Sequence, residues 1–261
     1  MDASMWVAKT GLTAQSTKMT VIANNLANVN TVGFKKDRAM FEELLYQTIA
    51  QAGGQTDATN EDPTGFMLGT GTRIISTEKI HAQGNMISTE NSFDLAVSGD
   101  GFFAITQQDG TFAYTRDGSF KISSEGEVVT TGGQPLFPAI TIPVDASSIT
   151  IGRDGTVTAE LAGGGGSTQL GQIQLSRFLN KSGLMPMGRN LYGQTEASGV
   201  AETGVPSENG FGGLVQGMLE ASNVNVVEEM VSMIETQRAY EINSKAISAA
   251  DGMLRFLNNN L

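Results

Sequence analysis

The 261-residue sequence predicts an α+β protein in which long N- and C-terminal helices pair in a coiled-coil-like manner, with an antiparallel β domain inserted between them. The distribution of glycine and proline is the first argument, because both residues interrupt helices. Residues 1–45 contain two of the 32 glycines, residues 218–261 contain one, and all six prolines lie between these segments. The second argument is apolar periodicity, which has a helical spacing at both ends of the chain.

The two terminal segments each carry a narrow apolar stripe. The first runs from Met5 to Val29 and predicts a helix that ends within Asn28 to Gly33. The second predicts a helix from Ser222 to Asn258, capped by Ser222 or Asn223. One helix pair cannot cover two such stripes, so the pattern predicts self-association. We call both stripes together the assembly seam, and its members are Met5, Leu12, Met19, Ile22, Leu26, Val29, Val224, Val227, Val231, Ile234, Ala239, Ile242, Ala246, Ala249, Met253 and Phe256.

The middle of the chain alternates short apolar runs with turn signals such as Asp117-Gly118 and Asp154-Gly155. This pattern predicts antiparallel strands in a sandwich or a partly closed barrel, with Phe112 and Ile122 among the core residues. Residues 46–65 are polar and lack periodicity, so no secondary structure is expected there. The expected domains are the N-terminal half of the helical domain (1–36), a connecting extended segment (37–70), a β-rich domain (71–217) and the C-terminal half of the helical domain (218–261).

The amino-acid composition excludes several kinds of functional site. The absence of cysteine excludes disulfides, thiolate nucleophiles and Cys-ligated zinc, and the single histidine, His81, excludes multi-histidine metal sites. We expect His81 to be solvated or hydrogen-bonded. The net charge of −11 disfavours binding to nucleic acid or anionic membranes. No cofactor, metal or catalytic site is predicted, and neither a membrane span nor a cleavable signal peptide is expected.

Both ends of the chain resemble the signatures of the bacterial flagellar rod and hook proteins. Ala23 to Lys35 is similar to their N-terminal signature, and Ser222 to Met230 together with Gln237 to Glu241 is similar to their C-terminal signature. Tyr114 to Phe120 and Ala239 to Lys245 resemble the distal-rod members most closely. The signature residues are Asn24, Asn25, Asn28, Gly33, Phe34, Asn223, Asn225, Glu228, Gln237, Arg238 and Tyr240.

This resemblance implies a structural subunit without enzymatic activity. In this family the helices form an inner domain, and many copies stack helically into a hollow, rigid tube that transmits torque and passes exported subunits. The implied partners are further copies, proximal rod proteins, the hook protein or hook-side rod end, the ring bushing in peptidoglycan and outer membrane, and the flagellar export apparatus. The implied location is the periplasm-spanning basal body, reached without a cleaved signal peptide. The residues expected to stiffen the rod are Tyr46, Gln47, Ile49 and Pro63.

Several alternatives stay open. The chain could be a proximal rod or hook protein of the same family, or a secreted β-rich adhesin. It could also be a periplasmic carbohydrate-acting enzyme, for which the carboxylate pairs Asp94/Asp100 and Glu125/Glu127 are the candidates. For the fold, the alternative is two helices that pack on the β domain instead of on each other. Deleting residues 219–261 is expected to leave a folded, monomeric β domain.

Overall fold

The computed structural model of the protein describes residues 3–53, 55–57, 60–61, 64–161 and 167–259. The chain forms two compact units. The first unit contains residues 1–27, 37–78 and 225–261, and the second contains residues 28–36 and 79–224. These units place residues 37–70 with the helices, and they place 28–36 and 218–224 with the β domain, so they divide the chain at other points than the expected domain boundaries.

The first unit is built on two helices, α1 (Ala3–Ala27) and α2 (Val226–Asn259), which pack against each other. This confirms the predicted α+β class and the pairing of the two terminal helices. Both helices are shorter at their inner ends than the apolar stripes suggested. Val29 lies in the turn that follows α1, and Val224 precedes α2, so neither of these seam residues is helical. Asn225 rather than Ser222 or Asn223 precedes the first helical residue of α2.

The helices run antiparallel. The side chain of Asn25 near the end of α1 donates a hydrogen bond to Glu229 near the start of α2, at 3.3 Å. Gly11 in the first half of α1 lies against Asn243 in the second half of α2. The two contacts are fourteen residues apart on both helices. The helices therefore stay in the same register over about 20 Å.

Short strands complete the first unit. Strand β1 pairs with β6, β2 pairs with β5, and β3 pairs with β4, each as a separate two-stranded ladder. The bounds are β1 Asp37–Glu43, β2 Gln47–Ala50, β3 Gln55–Asp57, β4 Asn60–Glu61, β5 Phe66–Leu68 and β6 Thr72–Lys79. The expectation that residues 46–65 lack secondary structure is therefore wrong, because β2, β3 and β4 fall within them.

The second unit is an antiparallel β domain that also contains a short 3₁₀ helix, Lys181–Gly183. Its largest sheet has the order β18-β19-β10-β9-β17-β20, with β13 also paired to β9. The strands are β7 Met86–Ser88, β8 Leu95–Ser98, β9 Phe102–Thr106, β10 Phe112–Thr115, β11 Phe120–Ile122, β12 Val128–Thr130, β13 Leu136–Phe137, β14 Ala146–Ile151, β15 Thr156–Leu161, β16 Ser167–Gln172, β17 Leu175–Arg177, β18 Met185–Gly188, β19 Leu191–Gly193, β20 Glu202–Gly204, β21 Gly213–Gln216 and β22 Met218–Glu220.

The largest sheet is apolar on both faces. One face contributes Phe103 to the main core, and the other carries an aromatic cluster that includes Phe102, Tyr114 and Phe178. Phe112 and Ile122 are exposed, so their predicted place in the core is wrong. Among the described residues, neither helix is long and apolar enough to cross a membrane.

Candidate assembly surface

Small and polar residues meet in the contact between α1 and α2, since Gly11 lies against Asn243 and Asn25 bonds to Glu229. The buried residues of the two helices are Ala8, Ala14, Ile22 and Asn25 on α1 and Glu229, Thr236 and Ala250 on α2. A Cβ atom at Gly11 would lie 3.0 Å from Nδ2 of Asn243, so glycine allows this close approach. Of the seam residues, only Ile22 is among these buried residues.

The α2 part of the assembly seam is left uncovered by this helix pair. A helix turns about 100° per residue. The stripe therefore lies on the side of α2 opposite to Glu229, Thr236 and Ala250. Its large members are 49–70% exposed: Val227, Val231, Ile234, Ile242, Met253 and Phe256. Ala246 and Ala249 are also exposed, whereas Ala239, Met5, Leu12, Met19 and Leu26 are half-buried.

The hydrogen bonds of the Asn25 side chain require an asparagine near the end of α1. Its side-chain amide donates to the carbonyl of Asp37 and its side-chain oxygen accepts from the amide of Asp37, both at 2.9 Å. Together with the bond to Glu229, this ties the start of β1 to both helices. The side chain is buried, and only an amide offers a donor and an acceptor in this arrangement. Asn28 accepts a hydrogen bond from the Thr31 hydroxyl at 3.1 Å in the turn after α1, and Asn24 is exposed.

Asn225 and Asn223 both precede α2 and bond to different parts of the chain. The side-chain oxygen of Asn225 accepts from the amides of Val227 (3.1 Å) and Glu228 (3.5 Å), which is an N-cap. In the second unit, the side-chain oxygen of Asn223 accepts from the amide of Lys36 at 2.8 Å. Its Nδ2 donates to the carbonyl of Ile80 at 2.8 Å.

We call residues 28–36 the N-terminal connector and residues 218–224 the C-terminal connector; both lie in the second unit. Gly33 holds them close, because its amide donates to the Glu220 carbonyl at 2.8 Å. Its φ is +69°, and a Cβ atom there would lie 2.8 Å from the amide of Asp117, so no other residue fits without strain. Phe34 is buried, with the ammonium of Lys79 5.1 Å from its ring centre.

A buried charge cluster joins the connectors. The ammonium of Lys35 is 2.5 Å from Oε1 of Glu220, and Nη1 of Arg116 is 3.4 Å from Oε2 of Glu220. Lys35 and Glu220 have no exposed side-chain area. Lys35 also donates to the carbonyl of Ala82 (2.8 Å), and the amide of Gly84 donates to Glu220 (2.9 Å). Burial lowers the pKa of Lys35 and that of Arg116, while Glu220 opposes both shifts.

Sequence reasoning missed this cluster. Lys35 ends the N-terminal signature stretch, but its partner lies 185 residues further along the chain. A lysine is almost never fully buried unless it is paired, so the contact is a structural requirement of the second unit.

The remaining C-terminal signature residues lie on the surface of α2. Glu228, Gln237, Arg238 and Tyr240 are all exposed. Arg238 falls in the gap of the apolar stripe between Ile234 and Ile242, four residues from each, and so lies on the uncovered side of the helix.

The predicted stiffening segment contains the ladder of β2 and β5. Thr48 is opposite Met67 and Ala50 is opposite Phe66. Tyr46, Gln47 and Ile49 are exposed, and the Tyr46 hydroxyl donates to Glu43 at 3.0 Å. This hydrogen bond raises the pKa of Tyr46. Pro63 lies outside the described residues.

Comparison with known proteins identifies the family. The sequence matches "Flagella basal body rod protein" over residues 5–35, "Flagellar hook protein FlgE/F/G D1 domain" over 96–159 and "Flagellar basal body rod FlgEFG protein C-terminal" over 215–260. It is 51% identical over 257 residues to flagellar basal-body rod protein FlgG of Buchnera aphidicola subsp. Acyrthosiphon pisum, covering 98% of this chain and 99% of the relative. The chain belongs to the flagellar basal-body rod protein family.

Two relatives from one organism show which branch of this rod family the chain resembles more. The chain is 47% identical over 249 residues to FlgG of Caulobacter vibrioides, covering 95% of each chain. It is 36% identical over 248 residues to FlgF of the same organism, covering 92% of this chain and 90% of the relative. This confirms the predicted resemblance to the distal-rod members. As a member of this family, the protein is a structural component of the flagellar basal body, assembles with other rod and hook components, and is not an enzyme.

The geometry of the carboxylate pairs agrees with this assignment. The ammonium of Lys181 is 2.6 Å from Asp100 and lowers the pKa of that carboxyl, whereas a general acid needs a raised pKa. Asp94 is buried and accepts a hydrogen bond from Asn91 at 3.0 Å. Glu125 lies on the exposed surface.

His81 differs from its prediction. Both ring nitrogens are buried and have no hydrogen-bond partner among the described residues, so the expectation of a solvated or hydrogen-bonded side chain is wrong. The ring packs edge-on against Phe102 and Tyr192, at 5.6 and 5.5 Å between centroids. Burial is the main cause that lowers its pKa to about 4, with further contributions from the positive charges of Lys35, Lys181, Arg116 and Lys79.

We expect His81 to make the second unit less stable in mild acid. The unfolded state binds a proton near pH 6.5 and the folded state only near pH 4, so stability falls as the pH drops through this window. The full loss is about 3 kcal/mol. Urea unfolding at pH 7 and pH 4.5 measures it, and His81→Phe should remove most of the difference. The same pH dependence in wild type and variant would contradict this role.

Proposed function

We propose that this rod-family protein is the structural subunit of the flagellar distal rod. Many copies assemble helically into a hollow, rigid drive shaft that transmits torque from motor to hook and passes exported subunits through its lumen. The exposed α2 part of the assembly seam carries this proposal. Six large apolar side chains are exposed on one side of α2. They favour aggregation of a free monomer, whereas in an assembled subunit neighbouring copies would bury them.

The energetics favour contact between copies along this stripe. Burial of apolar surface contributes about 25 cal/mol per Å². Ile242 and Phe256 are 66% and 69% exposed, so most of their area remains available to a neighbouring copy. In such a contact the exposed guanidinium of Arg238 would need an acceptor from the neighbour, which adds specificity to an otherwise apolar surface.

The ladder of β2 and β5 supports a stiffening role for residues 46–65. An isolated two-stranded ladder is marginally stable in water. Ile49, Phe66 and Met67 are all more than half exposed on it. Packing against a neighbouring copy would cover these side chains and limit sliding between subunits, which makes Tyr46, Gln47, Ile49 and Pro63 the proposed stiffening residues.

The partners and the location of the subunit follow from the same proposal. The partners would be further copies, proximal rod proteins, the hook protein or hook-side rod end, the ring bushing and the flagellar export apparatus. The subunit would act in the periplasm and would be exported without a cleaved signal peptide. The net charge of −11 supports this set of partners over nucleic acid.

The variant Ile242→Asp tests the proposal. Because Ile242 is exposed, the charge should leave the monomer folded, but it should abolish assembly, where burial of an unpaired carboxylate costs several kcal/mol. Sedimentation and electron microscopy of concentrated protein measure rod formation. Ser244→Asp is the matched control, since it places the same charge on an exposed position of α2 outside the seam. Rods of normal yield from Ile242→Asp would refute the proposal.

A further inference from the structure

The exposed α2 part of the assembly seam carries two positive charges. Arg238 and Lys245 are two helical turns apart, so both lie along the middle of this stripe, in one row with Val231. Both are exposed, and neither has an ion pair in the part of the chain that the structure describes. A neighbour that covers the apolar members of the stripe also buries these cations, so it must supply two acceptors about 10 Å apart.

The same helix carries acidic residues at a matching interval. Glu228 and Glu235 are also two turns apart, and both are exposed. They lie along one edge of the stripe, in the row that continues through Ile242. The carboxylate of Glu235 has no ion pair among the described residues. The acidic and the basic pair therefore have the same spacing, and they are displaced from each other by ten residues.

Gly252 continues the middle row of the stripe, two turns after Lys245. Glycine inside a helix is destabilising relative to alanine, so it needs a reason. A Cβ atom at Gly252 would meet no atom within 4 Å, and its φ lies outside the left-handed region. Nothing in the described part of the chain therefore requires glycine here, whereas a side chain from another molecule could approach closely at this gap.

Two other surfaces of the first unit have exposed apolar side chains but lack acceptors for these cations. Helix α1 contains Lys9 and Lys18 and no acidic residue. Strands β2 and β5 contain no charged residue. Charge complementarity therefore favours a second α2 helix as the surface that covers the stripe.

We propose that the α2 stripe of one copy packs in parallel on α2 of the next copy, displaced by ten residues or about 15 Å along the helix. This register places three pairs of residues opposite each other: Glu228 and Arg238, Glu235 and Lys245, and Ile242 and Gly252. An antiparallel contact of the same faces would be isologous and would close a dimer, whereas the displaced parallel contact is heterologous and continues from copy to copy. This inference rests on the proposed function and names the partner surface of the stripe.

Charge reversal tests the Glu235–Lys245 pair. Glu235→Lys and Lys245→Glu should each raise the protein concentration needed for rod formation at least tenfold, because each places like charges opposite each other. The double variant restores opposite charges and should assemble within twofold of the unmodified concentration, as measured by sedimentation and electron microscopy. Glu241→Lys is the matched control. Glu241 is exposed three residues after Arg238, on the edge opposite to Glu235, so this reversal should not raise the required concentration.

Cysteine pairs measure the displacement itself, and the chain contains no cysteine to interfere. Ile242→Cys and Gly252→Cys in one chain are about 15 Å apart along α2, too far for a disulfide within the chain. Oxidised rods of this variant should therefore yield a ladder of covalent oligomers. Ile242→Cys combined with Ala249→Cys reports a displacement of seven residues and should yield at least tenfold less cross-linked product.

The outcomes separate this contact from the function on which it rests. Rescue by the double charge reversal together with the Ile242–Gly252 ladder supports both. If the unmodified chain forms rods but the double reversal is not rescued, or the ladder is no stronger than in the Ala249 control, this register is overturned and the proposed function stands. If the unmodified chain forms no rods, the proposed self-assembly fails and this contact fails with it.

Discussion

Replacing Glu220 by alanine is expected to lower the free energy of unfolding of the second unit by about 3–5 kcal/mol. The substitution leaves the ammonium of Lys35 and the guanidinium of Arg116 buried without their counter-ion. Urea unfolding followed by near-ultraviolet circular dichroism reports on this unit, because Tyr114 and Tyr192 are buried in it. The single tryptophan, Trp6, lies in the first unit, and the transition seen by its fluorescence should move less.

Glu202→Ala is the matched control for this prediction. It removes an exposed carboxylate from an ion pair with the half-buried Arg177, 2.8 Å away. Exposed pairs contribute less than about 1 kcal/mol, so the control should unfold close to wild type. Equal destabilisation by the two variants would show that burial of the Lys35–Glu220–Arg116 cluster has no special importance.

Two truncations should differ sharply although their end points are six residues apart. Removing residues 225–261 deletes α2 but keeps the C-terminal connector, so we expect the second unit to keep its near-ultraviolet signal and a cooperative urea transition. Removing 219–261 also deletes Glu220 and Asn223, which pair with Lys35 and with the amide of Lys36. We expect this shorter chain to lose the cooperative transition. The second unit thus ends at residue 224, whereas the β-rich domain was expected to end at residue 217.

Proteolysis provides a second measurement of the same difference. The chain that ends at residue 224 should give a resistant fragment, whereas the chain that ends at 218 should be degraded at the rate of an unfolded protein. Two chains of equal resistance would contradict the assignment of residues 219–224 to the second unit.

The features that depend on local spacing could be predicted from the amino-acid sequence. Apolar residues at intervals of three and four predicted α1 and α2, and the scarcity of glycine and absence of proline within them agreed with their length. The turn dipeptides predicted an antiparallel middle, and the signature stretches around Asn25 and Asn225 predicted the family. Each of these inferences uses neighbours within about ten residues, where chain geometry fixes what can meet.

Which surfaces are covered and which distant groups meet became apparent from the folded chain. The apolar stripe of α2 was visible in the sequence, but not whether α1 would cover it. In the structure α1 packs against the other side of α2, where small residues such as Gly11 and Ala250 allow the helices to approach closely. Likewise, no local pattern shows that Lys35 will meet Glu220 across 185 residues, or that His81 will be buried between two aromatic rings. Such contacts depend on how strands distant in sequence are brought into register, and that is a property of the whole folded unit.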